Sequence, residues 1–249
     1  MTDSDREISF VLRVCDTESG LSATVRAIDE IASQLCERFE ILIVDDGSEK
    51  ETAEECRILD SELNSVRLMK LPFTIGYSSG IKSALTHSQY PWVMSVPAEG
   101  SFVPADITRF VQKMGDYDLV VGYRPLSNRS FGNKIWISLT RIILRVLFGI
   151  SVRETNSAKL FRKDKLQNMI IESRGFAIGA ELIIKSMLKG ARLCHVLLSD
   201  SPIPERKTDT RNAINILVGA LELMLFFVMR TFRLADFDPT GEDRKRVLR

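Results

Sequence analysis

The stretch Glu40-Ile41-Leu42-Ile43-Val44-Asp45-Asp46-Gly47-Ser48 decides the fold. Its run of apolar residues predicts a short buried strand, and two carboxylates, a glycine and a serine follow at once. Ligands of open α/β sheets bind in the crevice beyond the carboxyl ends of the strands, so we expect Asp45 and Asp46 to project there. Gly47 would take a positive φ, and Ser48 would cap the next helix. The same residues also suit an ordinary strand-to-helix turn, so both interpretations stand at this point.

The chain around this strand alternates between strand and helix patterns. Apolar runs or alternation predict further strands at 8–12, 66–71, 92–96 and 118–122. Apolar residues at helical spacing predict helices at 21–35, 53–63 and 76–88, and a fourth that begins with Pro104 and extends to Met114. This alternation predicts an α/β fold with a mostly parallel sheet and helices on both faces.

Composition and charge narrow the function classes. The 249 residues are 45% hydrophobic, which fits a globular protein with a sizeable core, and the formal charge of +1 gives no case for nucleic acid as a partner. The four cysteines, which are Cys15, Cys36, Cys56 and Cys194, are scattered. Their spacing argues against a disulfide framework or a zinc site and suits a reducing cytosol. The acidic, polar N-terminus does not look like a signal peptide, and His87 and His195 are expected to be structural.

Five segments occur in an order that one enzyme family shares. They are Glu40–Ser48, the glycine-rich Gly76-Tyr77-Ser78-Ser79-Gly80-Ile81-Lys82, the strand Asp118-Leu119-Val120-Val121-Gly122-Tyr123-Arg124, the segment Ser157-Ala158-Lys159-Leu160-Phe161-Arg162, and Gly175-Phe176 followed by Glu181-Leu182. Together they resemble family 2 glycosyltransferases of the GT-A fold, in the branch of the dolichol- or polyprenyl-phosphate mannose synthases. The resemblance implies a nucleotide-sugar donor and a lipid-phosphate acceptor.

The resemblance also implies a set of donor-binding residues. They are Glu18, Asp45, Asp46, Gly76, Lys82, Arg124, Arg206, Lys207 and Arg211. The carboxylates would accept hydrogen bonds from the base or ribose, while the helix that starts near Gly76 would offer amides and its dipole to the diphosphate. For the basic residues, solvated surface positions explain the sequence equally well, and Glu18 also suits an ordinary helix N-terminus.

Two motifs depart from the family pattern. The family opens its first strand with P-x-Y-N-E, where this chain has Arg13-Val14-Cys15-Asp16-Thr17. Its D-x-D metal motif is here Pro97-Ala98-Glu99, so Glu99 is the one carboxylate left to hold Mg²⁺ or Mn²⁺ together with the donor phosphates. The alternative is that Glu99 is an ordinary loop acid.

The acceptor side has drifted as well. Glu154 and Glu181 are candidates for catalysis, because they would orient or help deprotonate an acceptor. Glu99 is the third catalytic candidate, through the metal that it would hold. Gly179 stands where relatives carry an acidic residue.

Two apolar stretches bear on membrane contact. In 134–150, Lys134, Ser138, Arg141 and Arg145 form a polar stripe on a wide apolar helix. That pattern predicts a helix in the membrane interface or, alternatively, one packed on the core. The stretch 214–229 is shorter than the roughly 20 residues needed to span a bilayer, so 214–233 is expected to be buried or interfacial.

These patterns predict a GT-A domain over 1–211, a C-terminal helix over 212–234 and a polar, basic tail over 235–249. The leading function is inverting transfer of a hexose from a nucleotide sugar to a lipid phosphate, on the cytoplasmic face of a membrane. Because two motifs are altered, the alternative function is that of a non-catalytic relative that binds nucleotide sugar or lipid. An NAD-linked oxidoreductase is a poor fit, because no G-x-G-x-x-G follows the first strand.

Overall fold

A seven-stranded sheet lies at the centre of the computed structural model, which describes residues 6–16, 20–71, 77–98, 101–126, 131–166, 169, 171, 173 and 177–201. The strands are β1 (Glu7–Val14), β2 (Arg38–Asp45), β3 (Val66–Lys70), β4 (Trp92–Ser95), β5 (Leu119–Tyr123), β6 (Lys159–Arg162) and β7 (Leu193–Leu197). Their order is β3-β2-β1-β4-β6-β5-β7. Of these strands, β6 alone runs antiparallel to its neighbours, which confirms the mostly parallel sheet.

Six α-helices connect or cover the strands in the described residues. They are α1 (Leu21–Leu35), α2 (Lys50–Glu62), α3 (Tyr77–His87), α4 (Ile107–Val111), α5 (Phe131–Phe148) and α6 (Ile178–Leu188). The first four correspond to the predicted helices, although Pro104 begins a short 3₁₀ turn, Pro104–Asp106, that leads into α4. A proline fits that first turn because its missing amide would be unpaired there anyway.

The alternation of side chains along the strands buries both faces of the sheet. Phe10 of β1 and Ile43 of β2 pack in one cluster with residues of α1, α2 and α4. Val11 and Val44 point the other way and pack beside Ala84 of α3. Strands buried on both faces read as continuous apolar runs, which is why the stretch that decides the fold shows no polar alternation.

One side of helix α5 packs on the core, which is one of the two interpretations of its sequence. Trp136, Ile137, Thr140, Ile143 and Leu144 are buried. On the opposite side Ile135, Ile142 and Val146 are 44%, 60% and 73% exposed. Thus α5 packs on the core with one face and presents an apolar stripe with the other. Among the described helices, none is both long and apolar enough to cross a bilayer. The predicted segments 212–234 and 235–249 lie outside the described residues.

Gly179 allows α6 to approach the segment after α5. A Cβ at this position would lie 2.1 Å from the carbonyl oxygen of Thr155. Such a contact requires the backbone to move, so glycine at a position that is acidic in relatives has a steric reason here.

We therefore expect Gly179→Ala to lower the free energy of unfolding by about 1–3 kcal/mol, the usual cost of overpacking. Gly132→Ala on α5 is the matched control, because nothing lies within 4 Å of its Cβ and alanine is the better helix former. Urea unfolding followed by circular dichroism measures both. Equal midpoints for the two variants would contradict the close approach.

Candidate functional site

The carboxyl ends of β1, β2 and β3 meet at one edge of the sheet. Val14 lies opposite Asp45 in the register, and Asp45 lies opposite Lys70. The amide of Asp46 continues the ladder by donating to the Val14 carbonyl at 2.9 Å. Gly47 then turns the chain with φ of 75°, as its sequence context predicted. The two aspartates thus lie at the strand edge, and both are fully buried.

The two carboxylate oxygens of Asp45 differ in their hydrogen bonding. Its Oδ1 accepts a hydrogen bond from the amide of Ser48 at 2.8 Å. Among the described residues, its buried Oδ2 has no hydrogen-bond partner. Burial, with a smaller contribution from the Asp45 charge, raises the pKa of the Cys56 thiol on α2 to about 12. A buried carboxylate oxygen without a donor is costly, and a ligand hydroxyl or amide would satisfy it.

The predicted cap by Ser48 is wrong. Helix α2 begins at Lys50, after Glu49 as its N-cap residue, so Ser48 lies just outside the helix. Its hydroxyl instead accepts a hydrogen bond from the amide of Asp16 at 3.3 Å, and the Asp16 carboxylate accepts one from the amide of Glu49. The turn after β1 is therefore fastened to the turn after β2.

Asp46 forms a buried ion pair with Arg13 of β1. The Nε and Nη2 atoms of Arg13 donate to Asp46 Oδ2 at 2.9 and 2.6 Å. The arginine side chain is 16% exposed and passes beneath α3, where a Cβ on Gly80 would lie 2.9 Å from Arg13 Cδ. Sequence reasoning registered Arg13 as a departure from the family pattern but missed this pairing. The available signal was a charge near the end of a buried strand, which requires a partner.

Arg124 and Glu154 lie together beyond the end of β5. The backbone amide of Arg124 donates to Glu154 Oε2 at 3.2 Å, and Glu154 is buried. The Arg124 guanidinium donates to the carbonyl oxygens of Ser101 and, at 3.3 Å, Ser199. Two of the predicted site residues are therefore adjacent, at the same edge of the sheet as Asp45 and Asp46.

Lys159 is a buried basic group close to Glu154 that sequence reasoning did not single out. Its Nζ donates to the carbonyl of Ser157 at 2.6 Å. Complete burial lowers its pKa to about 8, and the nearby Glu154 charge partly opposes this effect. On the sheet, Lys159 lies between Ser95 of β4 and Val121 of β5. Its position inside an apolar strand motif was the signal that could have identified it.

Glu181 and Lys82 occupy other surroundings. Glu181 is buried in α6, accepts a hydrogen bond from the amide of Ser173 at 2.8 Å and pairs with Lys185. Lys82 lines a cavity of about 430 Å³ between α3 and α6. The other lining residues are Leu85, Thr86, Lys163, Leu166, Met169, Ile171 and Leu182. Neither residue contacts Asp46 or Arg124 in the interactions found among the described residues, so their predicted roles stay predictions.

Six predicted site residues lie outside the described residues. They are Glu18, Gly76, Glu99, Arg206, Lys207 and Arg211. Within the described part of the chain, no group of three or more histidine, cysteine or acidic side chains could hold a metal ion. Val96, Pro97 and Ala98, which precede Glu99, carry no side-chain ligand atom. The described residues therefore do not themselves fit a divalent cation.

The family model of Glycosyl transferase family 2 matches residues 18–178, which is more than half of the chain. A dolichyl-phosphate beta-glucosyltransferase, ALG5D of Trichomonas vaginalis, is 22% identical over 80% of this chain and 65% of its own length. An undecaprenyl-phosphate 4-deoxy-4-formamido-L-arabinose transferase of Klebsiella pneumoniae is 26% identical over 57% of this chain and 43% of its own. The chain thus spans about two thirds or less of the length of these curated relatives.

Solved structures share the fold at low sequence identity. Glucosyl-3-phosphoglycerate synthase of Mycobacterium tuberculosis, in complex with Mn²⁺, UDP and glucosyl-3-phosphoglycerate, superimposes with a TM-score of 0.71. The identity is 15%, over 89% of this chain and 80% of that one. The same enzyme with Mg²⁺ and UDP gives a TM-score of 0.66 at 16% identity, over 88% of this chain and 79% of that one. These likenesses confirm the predicted GT-A fold.

The ion pair of Arg13 and Asp46 generates a test by a double-mutant cycle. Asp46→Ala leaves a largely buried guanidinium without its carboxylate and should lower the free energy of unfolding by about 3–5 kcal/mol. Arg13→Met in the same background removes the guanidinium charge and should recover part of the loss. The free energies of unfolding of the single and double variants, obtained from urea titrations, give the coupling energy. Additive effects of the two substitutions would show that the pair does not act as a unit.

Proposed function

Because the chain belongs to glycosyl transferase family 2, we propose that it transfers a hexose from a nucleotide sugar to a lipid phosphate, with inversion at the anomeric carbon. The observation that carries the proposal is the pair of buried carboxylates, Asp45 and Asp46, at the carboxyl end of β2, with one Asp45 oxygen unsatisfied among the described residues. The printed names of the curated relatives, which contain dolichyl phosphate and undecaprenyl phosphate, support a lipid phosphate as the acceptor.

In this proposal the donor binds across the carboxyl ends of β1 and β2, with Asp45 on the α2 side and the Arg13–Asp46 pair on the α3 side. Asp45 Oδ2 accepts a hydrogen bond from the base or ribose, and Asp46 holds Arg13 beneath the first turns of α3. The start of that helix faces the diphosphate, with Lys82 and the basic segment at 206–211 adding positive charge.

The acceptor reacts on the side of Arg124 and Glu154. An oxygen of the lipid phosphate attacks the anomeric carbon while the bond from that carbon to the diphosphate oxygen breaks, and the nucleoside diphosphate leaves with the electron pair. The acceptor is already anionic, so Glu154 mainly orients it, and Glu181 is the further candidate for this task. The growing charge on the leaving group has to be met by cations or fixed positive side chains.

A divalent cation would supply part of that positive charge. Mg²⁺ is often bound through one or two carboxylates and the substrate phosphates. In this chain its ligands would be Glu99 and the diphosphate of the nucleotide sugar. With a single carboxylate in the motif, we propose weak dependence on Mg²⁺ or Mn²⁺, with Arg206, Lys207 and Arg211 compensating.

We further place the reaction at the cytoplasmic face of a membrane. The support is the stripe on α5, where exposed Ile142 and Val146 lie beside exposed Arg145. An apolar face flanked by basic residues suits contact with an anionic bilayer surface, and 214–233 is a second candidate for contact.

One observation favours a second function, that of a relative that binds a nucleotide sugar or lipid without turnover. Asp46 is fully buried and neutralised by Arg13, an arginine that stands in the altered first-strand motif. A site reshaped in this way, next to a metal motif that has lost a carboxylate, is compatible with binding alone.

A donor screen separates the two functions. We expect at least one nucleotide sugar to raise the melting temperature, with turnover in the presence of a short-chain polyprenyl phosphate. Glu99→Ala should lower kcat more than it weakens binding if a cation acts through Glu99, since that contact forms mainly in the transition state. If basic residues act instead, activity should persist in EDTA and fall in Arg206→Ala. Glu51→Ala, at an exposed position on α2, is the matched control.

Binding of a nucleotide sugar without turnover, with or without metal, would replace the enzyme by the binding protein. Failure of every donor to bind would exclude both the transferase and a relative that binds nucleotide sugars.

The membrane contact has its own test. Replacing Lys134, Arg141 and Arg145 by Glu should release the protein from anionic vesicles at low salt, because each basic residue near the surface contributes about 1 kcal/mol. The matched control replaces three exposed basic residues elsewhere, Lys50, Arg57 and Lys113, by Glu. Vesicle sedimentation measures both. Equal release of both triple variants would show that net charge, and not α5, accounts for binding.

A further inference from the structure

Arg141, Arg153 and His195 form a cationic cluster next to Tyr123. Arg153 and His195 contact the Tyr123 ring, and Arg141 contacts Arg153. The Arg153 guanidinium lies 4.4 Å from the centre of that ring, and the His195 ring meets it edge-on at 6.3 Å. The Arg153 amide donates to His195 Nε2 at 3.2 Å, and Arg141 Nε donates to the Arg153 carbonyl at 2.7 Å. These four residues come from different parts of the fold: Arg141 from α5, Arg153 from the segment after it, Tyr123 from β5 and His195 from β7.

The cluster has no negative counterpart in the described part of the chain. Neither Arg141 nor Arg153 forms an ion pair with a carboxylate there. The backbone of Arg153 links the cluster, since its amide bonds to His195 Nε2 and its carbonyl accepts from Arg141 Nε. Burial lowers the pKa of His195, and the charges of Arg153 and Arg141 lower it further. Among the described residues, the charges that act on His195 are those of the two arginines, and the Tyr123 ring packs against it edge-on. The local potential is positive, and this arrangement would gain stability from an anion.

We propose that Arg141, Arg153 and His195 bind the phosphate group of a ligand. Arginine guanidinium groups match the geometry of phosphate oxygens and remain charged at any physiological pH. His195 adds a third positive charge when it is protonated, at the cost of the hydrogen bond that its Nε2 accepts from the Arg153 amide. Two arginine charges and a titratable third donor suit a phosphate dianion better than a single carboxylate.

This site is separate from the Arg124 and Glu154 pair. Tyr123 and Arg124 are consecutive at the end of β5, where successive side chains point to opposite faces. The Arg124 guanidinium is bound to the carbonyls of Ser101 and Ser199, and it makes no hydrogen bond to the cluster in the described residues. The phosphate site therefore needs neither glycosyl transfer nor donor binding.

Phosphate binding and protonation of His195 are coupled. An anion at the cluster stabilises the imidazolium, so the pKa of His195 rises when phosphate binds. By linkage, phosphate binds more tightly as the pH falls through the titration of His195.

Two sources of phosphate share this chemistry. One is a soluble phosphate compound. The other is the headgroup of an anionic lipid, since Arg141 directly precedes the exposed Ile142 of the apolar stripe on α5. Inorganic phosphate and bicelles that contain phosphatidic acid distinguish them.

The chain has two histidines, so proton NMR of the imidazole ring resolves the site. At fixed ionic strength, replacing chloride by inorganic phosphate should raise the titration midpoint of His195 by about one pH unit, a tenfold coupling. The His87 signal, on α3, should not respond. Arg141→Gln should remove most of the shift, and Arg145→Gln, the same change one turn further along α5, should leave it intact. Arg153→Lys keeps the charge but loses the planar fork and should also reduce the shift.

Each outcome decides the proposal. A shift of the His195 midpoint with inorganic phosphate supports the proposal and identifies the ligand as a soluble phosphate compound. A shift with phosphatidic acid bicelles alone, and not with phosphatidylcholine bicelles, supports it with a lipid headgroup. An unchanged His195 midpoint in both arms, or an equal shift in Arg141→Gln and the native protein, overturns it.

Discussion

The buried ion pair of Arg13 and Asp46 is the interaction on which the candidate site depends. It joins the ends of β1 and β2, and it passes beneath α3, where Gly80 leaves room for the arginine. Taking both charges out of water is costly, so the pair by itself is weak evidence for stability. Its geometric effect is stronger, because it fixes the positions of the two turns and of the helix that would receive the diphosphate.

Adjacent residues in the chain have different tasks as a result of strand geometry. Asp45 continues the side-chain alternation of Ile41 and Ile43 and therefore lies toward α2, beside Cys56. Asp46 follows the end of β2 and turns to Arg13. One carboxylate is a structural partner and the other keeps an unsatisfied oxygen among the described residues. A sequence motif of two aspartates does not distinguish these tasks, although the period-two pattern of the strand gives a physical basis for doing so.

The sequence was sufficient to predict the strands and helices that are marked by a local pattern of apolar residues. Periodicity located β1 to β5 and α1 to α4, and Gly47 took the predicted positive φ. Periodicity could not predict that β6 is antiparallel. The direction of β6 depends on its pairing with β4 and β5, and β4 is distant from it in sequence. The same limit applies to the site. Arg124 was predicted from its motif, whereas Lys159 and the partner of Asp46 depend on which strands become neighbours.

At two positions where the chain departs from the family pattern, neighbouring residues accommodate the change. Arg13 is tolerated in the first strand because Asp46 neutralises it and Gly80 lets it pass. Gly179 is required where α6 meets the carbonyl of Thr155, next to Glu154. An anionic donor that approaches the start of α3 would therefore meet a neutral ion pair at Asp46, where a free carboxylate would repel it. In water-excluded surroundings such a difference in local charge is large. If the donor binds as proposed, the altered first strand would change the electrostatics of the donor side in the direction that favours a diphosphate.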